Sequence, residues 1–228
     1  MKKTILFFVL LFLTIGAYGC NMKAQEKRDS MIIYINNKYT DDKFTFVSVT
    51  GGHWGSNTSK IIVSSKNYPE KKIRVVCSED DGKLIYSDNY LNIKYEKETY
   101  EYIKNTLVSC FGDNIYLQYI PSDATSCDKG SGDTTFEEYI SSSDTYVYFS
   151  AVVIESSKDE DEILSKIKEI FRDSVVRAHI FFVDKKTSLE NNGAKIIEEK
   201  SFNKSLFIVK DSINNYKTVE WMAGYESK

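Results

Sequence analysis

The sequence predicts an α+β protein, mostly antiparallel sheet with helices packed on one face. Three observations lead there. Short runs such as 43–50 and 60–64 alternate apolar and polar residues, the two-residue period of half-buried strands. A longer stretch places Ile93, Tyr100, Ile103, Leu107 and Cys110 at intervals of threes, fours and sevens, the apolar stripe of an amphipathic helix. Several strand runs also follow one another with no helix between them, which favours segregated α+β layers over a parallel α/β fold.

The elements follow in order. Glu26 to Tyr39 carries Ile32, Ile35 and Tyr39 at helical spacing, and Asp41-Asp42 ends it. Lys43 to Thr50 is a strand, with Phe44 and Phe46 on one face. Gly51-Gly52-His53-Trp54-Gly55-Ser56-Asn57 is turn-rich, and Lys60 to Ser64 returns as the second arm of a hairpin. Lys71 to Cys77 is a third strand. Asp80-Asp81-Gly82 supplies the residues a tight hairpin turn requires, and Lys83 to Tyr86 comes back as a fourth. One helix is predicted over Asn89 to Phe111, closed by Gly112 as helices often are. Ile115 to Ile120 is a strand. After a polar break, Phe136 to Ile140 reads as a helical turn and Thr145 to Ile154 as a strongly β-prone run. The acidic segment Asp159 to Glu162 opens a helix through Ile163, Leu164, Ile167, Ile170 and Phe171, its carboxylates complementing the helix dipole. Val175 to Val183 is a strand. Lys195–Glu199 and Ser205–Lys210 are predicted to form a final hairpin, and Tyr216 to Met222 a terminal helical turn. A β-α-β order is expected in each half.

The N-terminus sets location. Met1-Lys2-Lys3 is a short basic start, and Ile5 to Leu13 is uninterrupted hydrocarbon and aromatic. These are the charged and apolar regions of an export signal. The run is short for a membrane span, which needs about 20 apolar residues. Ala17-Tyr18-Gly19-Cys20 then resembles the lipobox of bacterial lipoproteins, with Ala17 and Tyr18 in place of the usual leucine and Ala or Ser. The resemblance implies cleavage before Cys20 and diacylation of its sulfur, as in lipoproteins of low-GC Gram-positive bacteria. Two acyl chains anchor stably where one is marginal. The expected organisation is a signal peptide at 1–19, a polar tether at 20–30, an α+β half at 31–120, a polar loop at 121–143 and a second α+β half at 144–228. The expected place is the extracytoplasmic face of the cell membrane, held by palmitate-type acylation.

Composition narrows the partners. The formal net charge is −3, and loss of Lys2 and Lys3 with the signal makes the chain more acidic. Nucleic acid, whose phosphates demand basic patches, is not an expected partner. Cys77, Cys110 and Cys127 remain beyond Cys20. An odd number allows one disulfide and leaves one thiol; a Cys110–Cys127 bridge is the expected pairing if one forms. No C-x-x-C exists, and His53 and His179 are the only histidines, so neither a metal nor a cofactor is expected.

Other motifs resolve into weak chemistry. The glycine-rich 51–55 segment precedes a strand rather than a helix, so it does not make a phosphate cradle. Asp128 to Asp133 lacks the ligand spacing of a calcium loop. No G-x-S-x-G is present. His179 sits in a strand beside Ile180 and Phe181 and reads as structural. The candidate binding residues are Trp54 in the hairpin loop and the tyrosines Tyr86 and Tyr90 near the long helix, since a tyrosine ring packs while its hydroxyl stays wet. The expectation is a non-enzymatic, lipid-anchored binding domain that meets an envelope protein or small ligand. Two alternatives stand beside it: an envelope enzyme with a dispersed Asp/Glu/Tyr site, and an assembly lipoprotein of a membrane complex.

Overall fold

The computed structural model of the chain describes residues 25–51, 57–123, 125, 130–142, 145–154, 159–171, 175–183, 189–199, 202–212 and 215–223. They form an α+β protein of two compact units. The first runs up to Asn89 and includes Ser131–Asp133; the second takes Tyr90–Gly130 and the chain from Thr134 onward.

In the first unit, helix α1 spans 25–38. It is followed by β1 (Phe44–Val49), β2 (Thr58–Ser65), β3 (Ile73–Asp80) and β4 (Lys83–Asp88). The four strands form an antiparallel meander in chain order. Met31 and Ile35 on α1 and Tyr39 just past its end repeat at i+4 and are buried, as are Ile61, Val63, Ile73, Val75 and Cys77 at alternate strand positions. Two periods, 3.6 and 2, thus supply the two sides of one core. The Asp81-Gly82 turn takes positive φ at both residues, 46° and 74°, and joins β3 to β4 with Asp80 opposite Lys83. That backbone suits a two-residue hairpin turn, and glycine tolerates it without a Cβ penalty. β1 carries an irregularity between Phe46 and Ser48, which interrupts the simple alternation read from the sequence.

Polar groups tie this unit together. Tyr34 and Lys38 both donate to Asp88 Oδ2 at 2.9 Å, and Tyr39 donates to Oδ1 at 3.0 Å. Asp42 accepts from the Ser65 hydroxyl and from the backbone N–H groups of Lys43, Lys66 and Asn67. Both carboxylates are buried, and each has several donors, as burial of a charge requires.

In the second unit, α2 (Tyr90–Lys94) and α3 (Glu96–Phe111) precede β5 (Ile115–Tyr119). Then come α4 (Phe136–Ile140), β6 (Tyr146–Ile154), α5 (Glu160–Ile170), β7 (Val175–Val183), α6 (Leu189–Glu199), β8 (Lys204–Ser212) and β9 (Asn215–Ala223). The sheet order is β5-β6-β7-β8-β9. Only β6 and β7 pair in parallel, joined through α5; the other neighbours are antiparallel. Phe149 and Phe182 point to one face, where Phe171 packs on Phe149 and Phe111 of α3 packs edge-on to Phe182. Val152, Phe181 and Val183 point to the other face and meet Leu189 and Ile196 of α6.

Several sequence expectations are corrected. The helix over 89–111 is two helices, broken at Tyr95, whose φ and ψ are −104° and 17°. Lys195–Glu199 lies in α6, not in a hairpin, and Tyr216 to Met222 lies in β9, not in a helix. The closing hairpin is β8–β9. Its pairing depends on long-range partners, Leu206 with Ile180 on β7 among them, so tertiary context overrides local pattern. The expected division at 121–143 falls instead at Asn89, because β5 hydrogen bonds to β6 and so belongs to the second sheet. Residues 25–30 of the expected tether are already helical. The order β4-α3-β5 is not a β-α-β unit within one sheet, since β4 and β5 lie in different sheets.

Candidate functional site

The second unit contains an open cleft of about 550 Å³ at the ends of four strands. The strand ends explain its place. β5 and β8 finish where β6 and β7 begin, and α6 packs over Val152, Phe181 and Val183, with Tyr116 of β5 beside them. At the other end of that face Tyr146, Tyr148 and Arg177 are exposed. The cleft walls are aliphatic: Ile120, Pro121, Val147, Val175, Val176 and Val209. Tyr146 and Tyr148 stand at its rim, 49% and 41% exposed, with Ile120 50% exposed beside them.

The polar groups are few and placed by register. Tyr148 on β6 is the parallel partner of Arg177 on β7, and Arg177 pairs in register with Val209 on β8. Alternation along β6 and β7 therefore sends Tyr146, Tyr148 and Arg177 to the same face. Arg177 is exposed. Its guanidinium carbon lies 6.0 Å from the Phe207 ring centroid, a cation–π contact that orients the side chain without neutralising it. Among the described residues, no carboxylate is bonded to that guanidinium. Lys210, 1% exposed, also lines the cleft and donates to the Phe171 carbonyl at 2.8 Å. Among the described lining residues Asp123 is the one carboxylate. The segment bearing it is tethered by Asn92, whose side chain donates to the Ser122 carbonyl at 2.8 Å and accepts from the Tyr139 hydroxyl at 3.0 Å.

Beyond Arg177 on β7, His179 contacts the Ser205 hydroxyl through Nε2 at 3.1 Å and packs on Phe181 at 4.0 Å between centroids. This is the structural role its strand position implies. Among the described residues no three His, Cys, Asp or Glu side chains gather as a metal site would require.

The sequence-predicted site residues are not brought together. Trp54, Cys20 and Cys127 lie outside the described residues. Tyr86 belongs to the first unit and stacks on Tyr34, centroids 4.9 Å apart. Tyr90 belongs to the second and is 1% exposed, which corrects its assignment as a surface ring. Of the neighbouring tyrosines, Tyr95 is buried and Tyr102 half-buried. Tyr95 donates to the Thr134 carbonyl and packs on Tyr139 and Phe136, while Tyr102 reaches Phe136 and Phe171. Tyr90 and Tyr95 thus belong to the core, while Tyr86, Tyr100 and Tyr102 are half-buried. Cys110 is buried on α3, and Cys77 is a buried free thiol in the first unit. Burial pushes the Cys77 thiol up, against a smaller lowering by Lys27.

No protein-family model matches the chain, and no curated protein matches it. Among solved structures, a DUF5037 family protein from Ruminococcus gnavus ATCC 29149 is similar at 13% identity, over 84% of this chain and 92% of that one, with a TM-score of 0.37. Among the described residues, no helix is long and apolar enough to cross a membrane.

The residues that sequence reasoning missed are Ile120, Tyr146, Tyr148 and Arg177. One local signal was present: Tyr146 and Tyr148 alternate with the buried Val147 and Phe149, which marks a strand with one uncovered face. The convergence of Arg177 with them rests on the parallel β6–β7 register, which no local pattern reveals.

Proposed function

We propose that this chain is a lipid-anchored extracytoplasmic binding protein whose ligand occupies the cleft of the five-stranded unit. The lipobox-like Ala17-Tyr18-Gly19-Cys20 supports the anchor. The cleft carries the binding reading: an aliphatic pocket of about 550 Å³ with a few placed polar groups has the size and character of small-molecule sites, which run roughly 300–1,000 Å³.

Two measurements test this. Intact mass and membrane fractionation of the full chain are compared with Cys20→Ala. Acyl mass and membrane retention present in the wild type and lost in the variant support the anchor; cleavage without acylation removes it. A thermal-shift screen of apolar small molecules on the full chain in detergent tests the cleft. Hits that Tyr148→Ala weakens at least about tenfold, or roughly 1.4 kcal/mol, support the site. Hits indifferent to Tyr148→Ala and Ile120→Ser place binding elsewhere.

A further inference from the structure

We infer that the ligand of this cleft is an organic anion: an apolar body seated against Ile120, Pro121 and Val209, with one carboxylate or phosphate head held by Arg177. The inference rests on the binding reading above and adds the chemical class.

Size comes first. A volume of about 550 Å³ accepts on the order of 20 non-hydrogen atoms at about one water volume, ~30 Å³, each. The walls then decide the body. Ile120, Pro121 and Val209 offer accessible hydrocarbon and little hydrogen bonding, over a floor in which Val147, Val175 and Val176 are buried, so a sugar or peptide backbone would lose its water contacts without replacement. An alkyl chain or fused ring would not.

Charge decides the head. Among the described lining residues there are two cationic side chains, Arg177 and Lys210, and one carboxylate, Asp123. Lys210 is buried and its ammonium donates to the Phe171 carbonyl. Arg177 is different: it is exposed at the mouth and braced over Phe207. A guanidinium presents a planar fork of donors that matches a carboxylate or phosphate edge in two parallel hydrogen bonds. Bracing on an aromatic ring reduces the rotamer freedom lost when that fork is used. The rim hydroxyls of Tyr146 and Tyr148 lie on the same face as Arg177 and supply neutral donors beside it.

The test compares matched acids and alcohols on the full chain by isothermal titration: 2-naphthoate against 2-naphthalenemethanol, and dodecanoate against dodecanol. The expected result is that at least one acid binds about tenfold or more tightly than its alcohol, the smaller end of what a hydrogen bond to a charged group contributes. Arg177→Gln should erase that preference while leaving alcohol affinity within about twofold. Phe207→Leu, which removes the brace alone, should reduce the acid preference several-fold and leave the alcohol unmoved. Near-UV circular dichroism confirms that both variants keep the fold. 2-Naphthyl phosphate identifies the head: tighter binding than 2-naphthoate assigns phosphate, weaker binding assigns carboxylate. Equal affinity of acid and alcohol for the wild type overturns the anion inference and leaves the cleft as a neutral apolar site. Acid preference that survives Arg177→Gln overturns the role of Arg177. Failure of every probe to bind, with no hit in the thermal screen, overturns the binding reading itself.

Discussion

The two units solve the same problem, a sheet needing cover, in opposite ways. In the four-stranded unit, polar ties supplement the α1 packing: Asp88 gathers two tyrosine hydroxyls and the Lys38 ammonium, and Asp42 gathers backbone amides and Ser65. The five-stranded unit is held by apolar layers on both faces, with Phe149, Phe171 and Phe182 on one side and Val152, Phe181 and Leu189 on the other. A buried carboxylate fixes geometry because losing one donor leaves an expensive charge, whereas apolar layers tolerate an uncovered end. That tolerance is what allows a cleft where α6 stops.

The largest expected effect sharpens this contrast. Asp88→Ala removes the carboxylate partner of the Lys38 ammonium, whose side chain is 11% exposed, and of two tyrosine hydroxyls. Breaking such a buried pair typically costs about 3–5 kcal/mol. Hydrogen exchange read by mass spectrometry should show protection falling across β2 and β3 while β6 and β7 keep theirs. An equal loss in both units would break the comparison.

A smaller effect tests the apolar unit. Gly193 on α6 is buried against the Tyr116 side chain, and a Cβ there would overlap the root of that ring. Overpacking of this kind costs about 1–3 kcal/mol and should outweigh the ~1 kcal/mol that alanine gains over glycine in a helix. Urea denaturation should therefore show Gly193→Ala less stable than the wild type. A more stable variant would mean that α6 sits more loosely on the sheet than its contacts indicate.

The smallest effect concerns pH. Burial pushes the Tyr119 phenol up to about 12 from an ordinary 10.0, with Glu96 adding to the rise. The unfolded chain releases this proton from about pH 10, while the folded chain keeps it until about 12. Its contribution is thus whole below pH 10 and drains as pH rises through the folded value. The urea midpoint of Tyr119→Phe relative to wild type should stay level to about pH 9.5 and then rise in favour of phenylalanine by about pH 11. A flat difference throughout would show that Tyr119 is solvated.

Much of the fold was legible locally. The helical spacing of Ile35 and Tyr39, the alternation of β2 and β3, the Asp81-Gly82 turn and the Gly112 stop each depend on neighbours within a few residues, whereas Met31 and not Ile32 completes the buried stripe. The site was far less legible. Tyr86 and Tyr90 look alike in sequence, yet one stacks on Tyr34 in the first unit and the other is sealed in the second. Tyrosine suits both a surface and a core, so its type carries no address.

By itself, the sequence determined the α+β class, the lipobox resemblance, the acidic balance and most of the strands and helices. These rest on short-range periodicity, turn chemistry and composition. Tertiary structure alone decided that β5 joins the second sheet, that 195–199 is helix and 216–222 strand, and that Arg177 stands beside Tyr148 at the mouth of a cleft. Those outcomes depend on pairings between residues far apart in the chain: Tyr119 with Phe149, Arg177 with Val209, Leu206 with Trp221. Strand pairing is a contest among long-range partners, and its energy is spread over whole ladders rather than written in any one segment.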